Sequence, residues 1–207
     1  MKLTAIITTL ALAVTTMTAS ADDEITGMFT SAPQRIFPLL DTNTRLDMID
    51  YFKANMTNES QNNLGGYSRI TRLDPGMIEV KMSDASDVQF FLLDGKKGPM
   101  TGIVTTVSMP ARDSRLAIYD SDWRQCDNLF KAPALRDWMT DPSRQAEVEM
   151  VVPFMVTEYK YNPAEKTLTL SNNLKTFLSD DIYEMVSPLM KSKIVYVWNG
   201  SKFVPAK

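Results

Sequence analysis

The sequence has 207 residues, of which 44% are hydrophobic, 23% charged and 9% aromatic, and its formal net charge is −3. This composition excludes collagen-like, low-complexity and wholly disordered chains. The sequence contains no histidine, and Cys126 is its single cysteine. Imidazole-based catalysis, imidazole zinc sites and an intrachain disulfide are therefore excluded as well.

The first 21 residues have the pattern of a secretory signal. Met1-Lys2 is a basic start, and the apolar run over residues 3–14 is too short to cross a bilayer, which takes about 20 residues. Ala19-Ser20-Ala21 has the small-x-small pattern that signal peptidase cleaves. We predict cleavage after Ala21 and a periplasmic or secreted mature chain without a transmembrane segment. No cysteine follows the apolar run, so a lipoprotein is not expected.

The N-terminal part is predicted to contain one strong helix. Residues 22–34 are expected to be extended or weakly helical, and a helix is predicted near 43–56, with Asp41 or Thr42 as its N-cap. Arg45 is expected on the polar side of this helix. The apolar side is expected to carry Leu46, Ile49, Phe52 and Met56, widened by Met48 and Tyr51.

After Gly66 the apolar period changes from 3.6 to 2, which is typical of strands. Short turns separate the apolar runs, so an antiparallel meander is expected. Its five predicted strands cover residues 68–73, 78–82, 88–93, 103–109 and 115–119. The third of these is the most apolar and should lie toward the centre of the sheet.

A short helix over 132–139 is predicted to interrupt the strands. A strand is then expected to begin at Glu147, since the apolar residues that follow alternate with other residues, and a bulge near Pro153 would bring Tyr159 and Tyr161 onto the same face. The alternating residues are Val148, Met150, Val152, Phe154 and Val156.

The C-terminal region is predicted to form a strand over 167–170, a helix in two pieces over 174–191, and a final hairpin. Asn199-Gly200 lies between the two apolar strands of that hairpin, 194–198 and 201–204. Asn-Gly favours a tight hairpin turn because both residues tolerate positive φ.

These elements predict an α+β fold of antiparallel meanders and hairpins with a few helices packed on one face. We divide the chain into a signal over 1–21, a helix with a five-strand meander over 22–128, and short helices with hairpins over 129–207, with one common domain for the last two as an alternative. A strand, an Asx-Pro turn and a strand recur at 72–80 and 161–170. Two similar halves would explain this, although two ordinary hairpins are the favoured interpretation.

The sequence offers no catalytic residue and no set of metal ligands, and no cofactor is predicted. Aromatic rings on strands can stack on sugars or peptides, although cross-strand core pairs have the same pattern. The candidate ligand-binding residues are Trp198 and Tyr196 in the last hairpin and Trp123 in the irregular segment after the meander.

The sequence is compatible with two functions. The favoured one is a non-catalytic periplasmic or secreted module that binds an envelope protein or glycan, because no proton-transferring constellation is visible. The alternative is a carboxylate-dependent hydrolase of envelope or dietary glycans that uses Glu147 with Glu149 or Asp120 with Asp122. The mildly negative charge argues against a nucleic-acid partner.

Four segments also carry a family resemblance. They are IFPLLDTNTRLDMIDYFKANM at 36–56, FFLLDGKKG at 90–98, DSRLAIYDSDW at 113–123 and VYVWNGSKFV at 195–204. Together they resemble a family of small exported proteins from gut-type Gram-negative anaerobes that is classed as a domain of unknown function. The resemblance implies an envelope location and a single-family chain, and it assigns no activity and no functional residues.

Overall fold

The computed structural model describes residues 21–96 and 98–206. These residues form two antiparallel sheets, of six and four strands, together with short helices. The predicted α+β fold is therefore confirmed. Apart from Ala21, which begins the first helix, the predicted signal segment lies outside the described residues, and its cleavage stays a prediction.

The first sheet is a meander whose strands pair in sequence order. Its bounds are β1 Ser60–Gln61, β2 Tyr67–Asp74, β3 Met77–Ser83, β4 Ser86–Gly95, β5 Gly98–Val107 and β6 Asp113–Tyr119. All five predicted strands are present, and β4 lies inside the sheet as expected from its apolar sequence. The short β1 adds one strand that the sequence analysis did not predict.

Two helices, α1 (Ala21–Ser31) and α2 (Thr42–Lys53), pack on one face of the first sheet. The predicted N-cap of α2 is confirmed, because a side-chain oxygen of Asp41 accepts a hydrogen bond of 2.8 Å from the backbone N–H of Thr44. Helix α1 occupies a segment that was expected to be extended or weakly helical.

The buried side of α2 differs from the predicted apolar side. Leu46 and Met56 are exposed, whereas Arg45 is fully buried beside Met48 and Ile49. The Arg45 guanidinium donates to the carbonyl oxygens of Phe29 and Ala32, at 2.9 and 2.7 Å. These carbonyls lie at the C-terminal end of α1, where helices lack internal donors, so a buried arginine holds the two helices together.

The second half consists of short elements around the four-stranded sheet. Its helices are α3 Leu135–Trp138, α4 Gln145–Glu149, α5 Leu174–Phe177 and α6 Asp180–Val186. Its strands are β7 Thr157–Asn162, β8 Thr167–Asn172, β9 Lys193–Trp198 and β10 Phe203–Pro205, in the order β10-β9-β8-β7. The predicted final hairpin is confirmed, but its turn covers residues 199–202 rather than Asn199-Gly200 alone, and of that pair only Gly200 has a positive φ, of 84°.

The strand predicted to begin at Glu147 is wrong, and so is the bulge near Pro153. Residues 145–149 form α4, and β7 begins at Thr157. A 3-10 turn that starts with Pro142 precedes α4, and Asp141 caps this turn. The residues of α4 that follow include good helix formers. Met150, which the predicted strand would have placed with the buried valines, is 80% exposed.

The two sheets meet at the free edge of β7. Three of its backbone N–H groups donate to side-chain oxygens of the first sheet rather than to another strand. The pairs are Thr157 with Asp113 at 2.9 Å, Tyr159 with Ser114 at 3.0 Å and Tyr161 with Gln89 at 2.9 Å. The edge of β7 is thereby satisfied without extending either sheet.

A second core fills the space between the sheets, on the face opposite α1 and α2. Phe91 of β4 stacks on Tyr161 of β7, with ring centroids 3.9 Å apart. Residues on both sides of position 128 contribute to this core, and the division of the chain at that position stays a prediction. None of the helices within 21–96 and 98–206 has the length and apolarity that a membrane crossing requires.

Gly102 should be essential to this core. It pairs with Phe91 across β4 and β5, and a Cβ at this position would lie 2.2 Å from a Phe91 ring carbon. The ring cannot move aside because Tyr161 is stacked on it. We expect Gly102→Ala to lower the free energy of unfolding by about 2–4 kcal/mol in urea titrations. A loss below half a kcal/mol would contradict this close packing. Gly27→Ala, where a Cβ would meet open space, is the control.

Tyr161 should also make the fold sensitive to alkali. Burial, with a smaller contribution from Asp94, raises the pKa of Tyr161 to about 12. The unfolded chain loses this proton near pH 10, so the stabilisation is complete below pH 10 and is lost as the pH rises toward 12. As the pH rises from 10 to 12, the free energy of unfolding should fall in both proteins. The fall should be about 2–3 kcal/mol smaller in Tyr161→Phe, which lacks the titrating hydroxyl.

Urea unfolding at a series of pH values measures this difference. Tyr67→Phe is the matched control, because it removes the same hydroxyl from a side chain that is 62% exposed. Equal slopes for Tyr161→Phe and the unmodified protein would contradict the assignment.

Candidate functional site

A groove of about 870 Å³ lies between α3 and the strands β9 and β10 of the second sheet. One wall consists of residues from 131–142, and the other consists of residues from 191–196 with 203–206. We call it the cationic groove, for the side chains described below. Its volume falls within the usual range for ligand sites.

Backbone hydrogen bonds fix the two walls relative to each other. The N–H of Lys191 donates to the carbonyl of Trp138 at 2.7 Å, and the N–H of Thr140 donates to the carbonyl of Leu189 at 2.9 Å. At the other end, the N–H of Phe203 donates to the carbonyl of Leu129 at 2.8 Å. The groove is therefore part of the folded framework and does not depend on a loop closing over it.

Four exposed cationic side chains line the groove: Lys131, Arg136, Lys191 and Lys193. None of them forms an ion pair with a carboxylate in the described part of the chain. Lys191 donates instead to the backbone carbonyl of Asp137 at 2.8 Å. The groove thus concentrates positive charge on a protein whose net charge is −3, and it favours an anionic ligand.

Asp137 is the carboxylate that lines the groove, and it is already engaged. Its Oδ2 accepts a hydrogen bond of 2.8 Å from the backbone N–H of Ala134, at the start of α3. This contact orders the first turn of a very short helix, where N–H groups otherwise lack acceptors. Asp137 therefore supports the wall, and its single negative charge is outnumbered by the four cations.

The floor of the groove is apolar and includes Ile194, Tyr196 and Phe203. Tyr196 is buried, and its ring contacts that of Phe130 edge to face, with centroids 5.3 Å apart. Burial raises the pKa of Tyr196, and the charges of Asp137 and Tyr159 add to the effect.

The structure brings one of the three candidate aromatic residues to the groove. Tyr196 lines it, whereas Trp198 is 4% exposed and its Nε1–H donates to the carbonyl of Asp94 at 2.8 Å. Trp123 lies in the other half, where its ring stacks on Phe90. The three do not form a common surface, and their role in ligand binding stays a prediction.

The two carboxylate pairs named from the sequence do not form a hydrolase site. Glu147 and Glu149 lie on a helix at a two-residue spacing, which points their side chains in different directions. Hydrogen bonds from Arg144 lower the pKa of Glu147, the opposite of what a general acid needs. Asp120 accepts hydrogen bonds from two backbone N–H groups of its own loop, and Asp122 pairs with Arg124.

Carboxylates do converge in a polar pocket of about 270 Å³ between the sheets, which Asp87, Glu158 and Glu79 line. Arg112 occupies the oxygens of the first two, with Nη1 3.0 Å from Asp87 and Nε 2.7 Å from Glu158. Because the Glu158 side chain is only 14% exposed, this ion pair belongs to the junction of the sheets. Within 21–96 and 98–206, no three acidic or cysteine side chains are arranged to hold a metal ion.

Arg112→Gln should weaken the junction between the sheets. It removes the guanidinium from Glu158, which keeps only Lys160 at 3.4 Å as an ion-pair partner. We expect a loss of about 1–2 kcal/mol in the free energy of unfolding, measured in urea. Arg124→Gln is the matched control, since its ion pair with Asp122 is largely exposed and should contribute less than about 0.5 kcal/mol. Equal effects of the two substitutions would contradict the assigned role.

Sequence reasoning missed the cationic groove because its charges come from separate segments. Lys131 precedes α3 and Arg136 lies in it, whereas Lys191 precedes β9 and Lys193 begins it. No basic run in the sequence marks them. The available signal was the spacing of Lys191 and Lys193, which places two lysines at alternate positions ahead of an apolar strand.

Comparisons with known proteins agree with the fold. Residues 16–203 match a family described as a protein of unknown function, DUF3256. No curated protein matches the chain significantly. A solved structure, that of a domain of an uncharacterized protein from Porphyromonas gingivalis W83, is 18% identical with a TM-score of 0.75, over 88% of this chain and 98% of that one. At this identity the likeness shows the fold alone, while the family match covers nearly all of the described residues, so the chain belongs to the DUF3256 family.

Proposed function

We propose that this protein is a non-catalytic binding module of the cell envelope that holds an anionic, extended ligand in the cationic groove. The observation that carries the proposal is the set of four cationic side chains without carboxylate partners in the described chain, placed around an apolar floor. A ligand with repeated carboxylates would pair with the rim while its less polar parts cover Ile194 and Phe203.

The location in this proposal comes from the sequence. The basic start, the short apolar run and Ala19-Ser20-Ala21 support export and cleavage after Ala21. In the periplasm or outside the cell, the extended anions within reach are acidic glycans and acidic segments of envelope proteins. The resemblance to exported proteins of gut-type anaerobes supports the same location.

The hydrolase alternative has less support. The pairs Glu147 with Glu149 and Asp120 with Asp122 do not face each other across a cleft. Where carboxylates converge, Arg112 fills the space between Asp87 and Glu158. A water or sugar would have to displace that guanidinium before either carboxylate could act on a glycosidic bond.

Binding of acidic polymers tests the proposal. We expect the protein to bind polygalacturonate or poly-glutamate in isothermal titration calorimetry, and not to bind neutral dextran. The double variant Lys191→Gln/Lys193→Gln should bind at least about tenfold more weakly, because two charge-assisted contacts are lost. Affinity should also fall as salt is raised.

The matched control is Lys53→Gln/Lys175→Gln, which removes the same charge from two exposed lysines outside the groove. It should bind like the unmodified protein. Preference for one polymer would tell a glycan ligand from a peptide ligand. No binding to either polymer, or equal weakening in both double variants, would overturn the proposal.

A further inference from the structure

A separate, smaller cavity of about 250 Å³ lies on the first sheet, away from the cationic groove and the polar pocket. It opens over β5 and β6, where Thr105 is paired with Arg115, and Tyr119 and Gln125 complete its rim. Arg35, from the segment between α1 and α2, closes the other side. None of these residues belongs to the groove.

Two arginines, Arg35 and Arg115, line this cavity, and no carboxylate lines it among the described residues. Arg35 donates through Nη2 to the backbone carbonyl of Trp123 at 2.7 Å. Neither Arg35 nor Arg115 forms an ion pair within the described residues. Two positive charges that share a small cavity repel each other, and an anion bound between them is attracted to both.

The remaining polar groups suit the same kind of ligand. Thr105 and Tyr119 also line the cavity, and their hydroxyls make no hydrogen bond with another described residue. A hydroxyl donates readily to an anionic oxygen, and the planar fork of arginine matches the oxygens of carboxylate, sulfate or phosphate in pairs. Donors from several elements therefore converge on one space.

We propose that this cavity is a binding site for a small oxyanion, either free or carried by a sugar acid. Its volume lies below the usual range for drug-sized ligands, so it admits a single oxyanion group or one monosaccharide rather than a polymer. The site is independent of the cationic groove, and it would give the protein a second ligand of a different size.

Titrations with sodium sulfate, glucuronate and glucose, followed by amide NMR at constant ionic strength, test this proposal. We expect saturable shifts at Thr105, Arg115 and Gln125 with sulfate or glucuronate, and none with glucose. Binding of both anions assigns the site to a free oxyanion group, whereas binding of glucuronate alone assigns it to a sugar acid. Either result supports the proposal.

Arg115→Gln should weaken this binding at least about tenfold, since it removes a bidentate charged donor. Arg115 is exposed, so the variant should fold, and Arg35→Gln provides an independent second test. Arg69→Gln is the matched control: it removes an exposed arginine of β2 and should bind like the unmodified protein. No saturable shift with either anion, or equal weakening in Arg69→Gln, would overturn the proposal.

Discussion

The edge of β7 is the contact on which the arrangement of the two sheets depends. Its outward N–H groups are satisfied by Asp113, Ser114 and Gln89, which are side chains rather than a neighbouring strand. A side chain can accept a hydrogen bond from a strand that is not aligned with its own, so the second sheet lies against a face of the first. That geometry brings Tyr161 onto Phe91 and creates the second core.

The junction with the first sheet uses one edge of the second sheet, so the other edge is free to line a groove. In the order β10-β9-β8-β7 the junction occupies β7, and the cationic groove develops at β9 and β10. The groove wall on the far side is α3, which two backbone hydrogen bonds tie to the segment before β9. The polar contacts of the junction thus lie at one edge of this small sheet, and the groove cations, which form no ion pair in the described chain, lie toward its other edge.

Local signals were sufficient to predict the elements that local contacts determine. Asp41 caps α2 through a bond three residues away, and Gly200 provides the positive φ of the last hairpin. The segment after Glu147 was mistaken because Val148 and Val152, both buried, are four residues apart. That spacing fits one side of a helix as well as one face of a strand. The exposure of Met150, which decides between them, is a result of tertiary packing.

The candidate site could not be predicted for a different reason: in the sequence, cations with a structural role look the same as cations that are available to a ligand. In the sequence Arg45 lies in a predicted helix, Arg112 lies between two predicted strands and Lys193 precedes one, and nothing local tells a structural cation from an available one. The structure gives Arg45 two helix-terminal carbonyls, gives Arg112 two carboxylates, and gives Lys193 no anionic partner among the described residues. Those partners lie 13 to 46 residues away along the chain. An exposed cation is available to a ligand only where folding has brought it no carboxylate, so the candidate site can be recognised only after the structural cations have been identified.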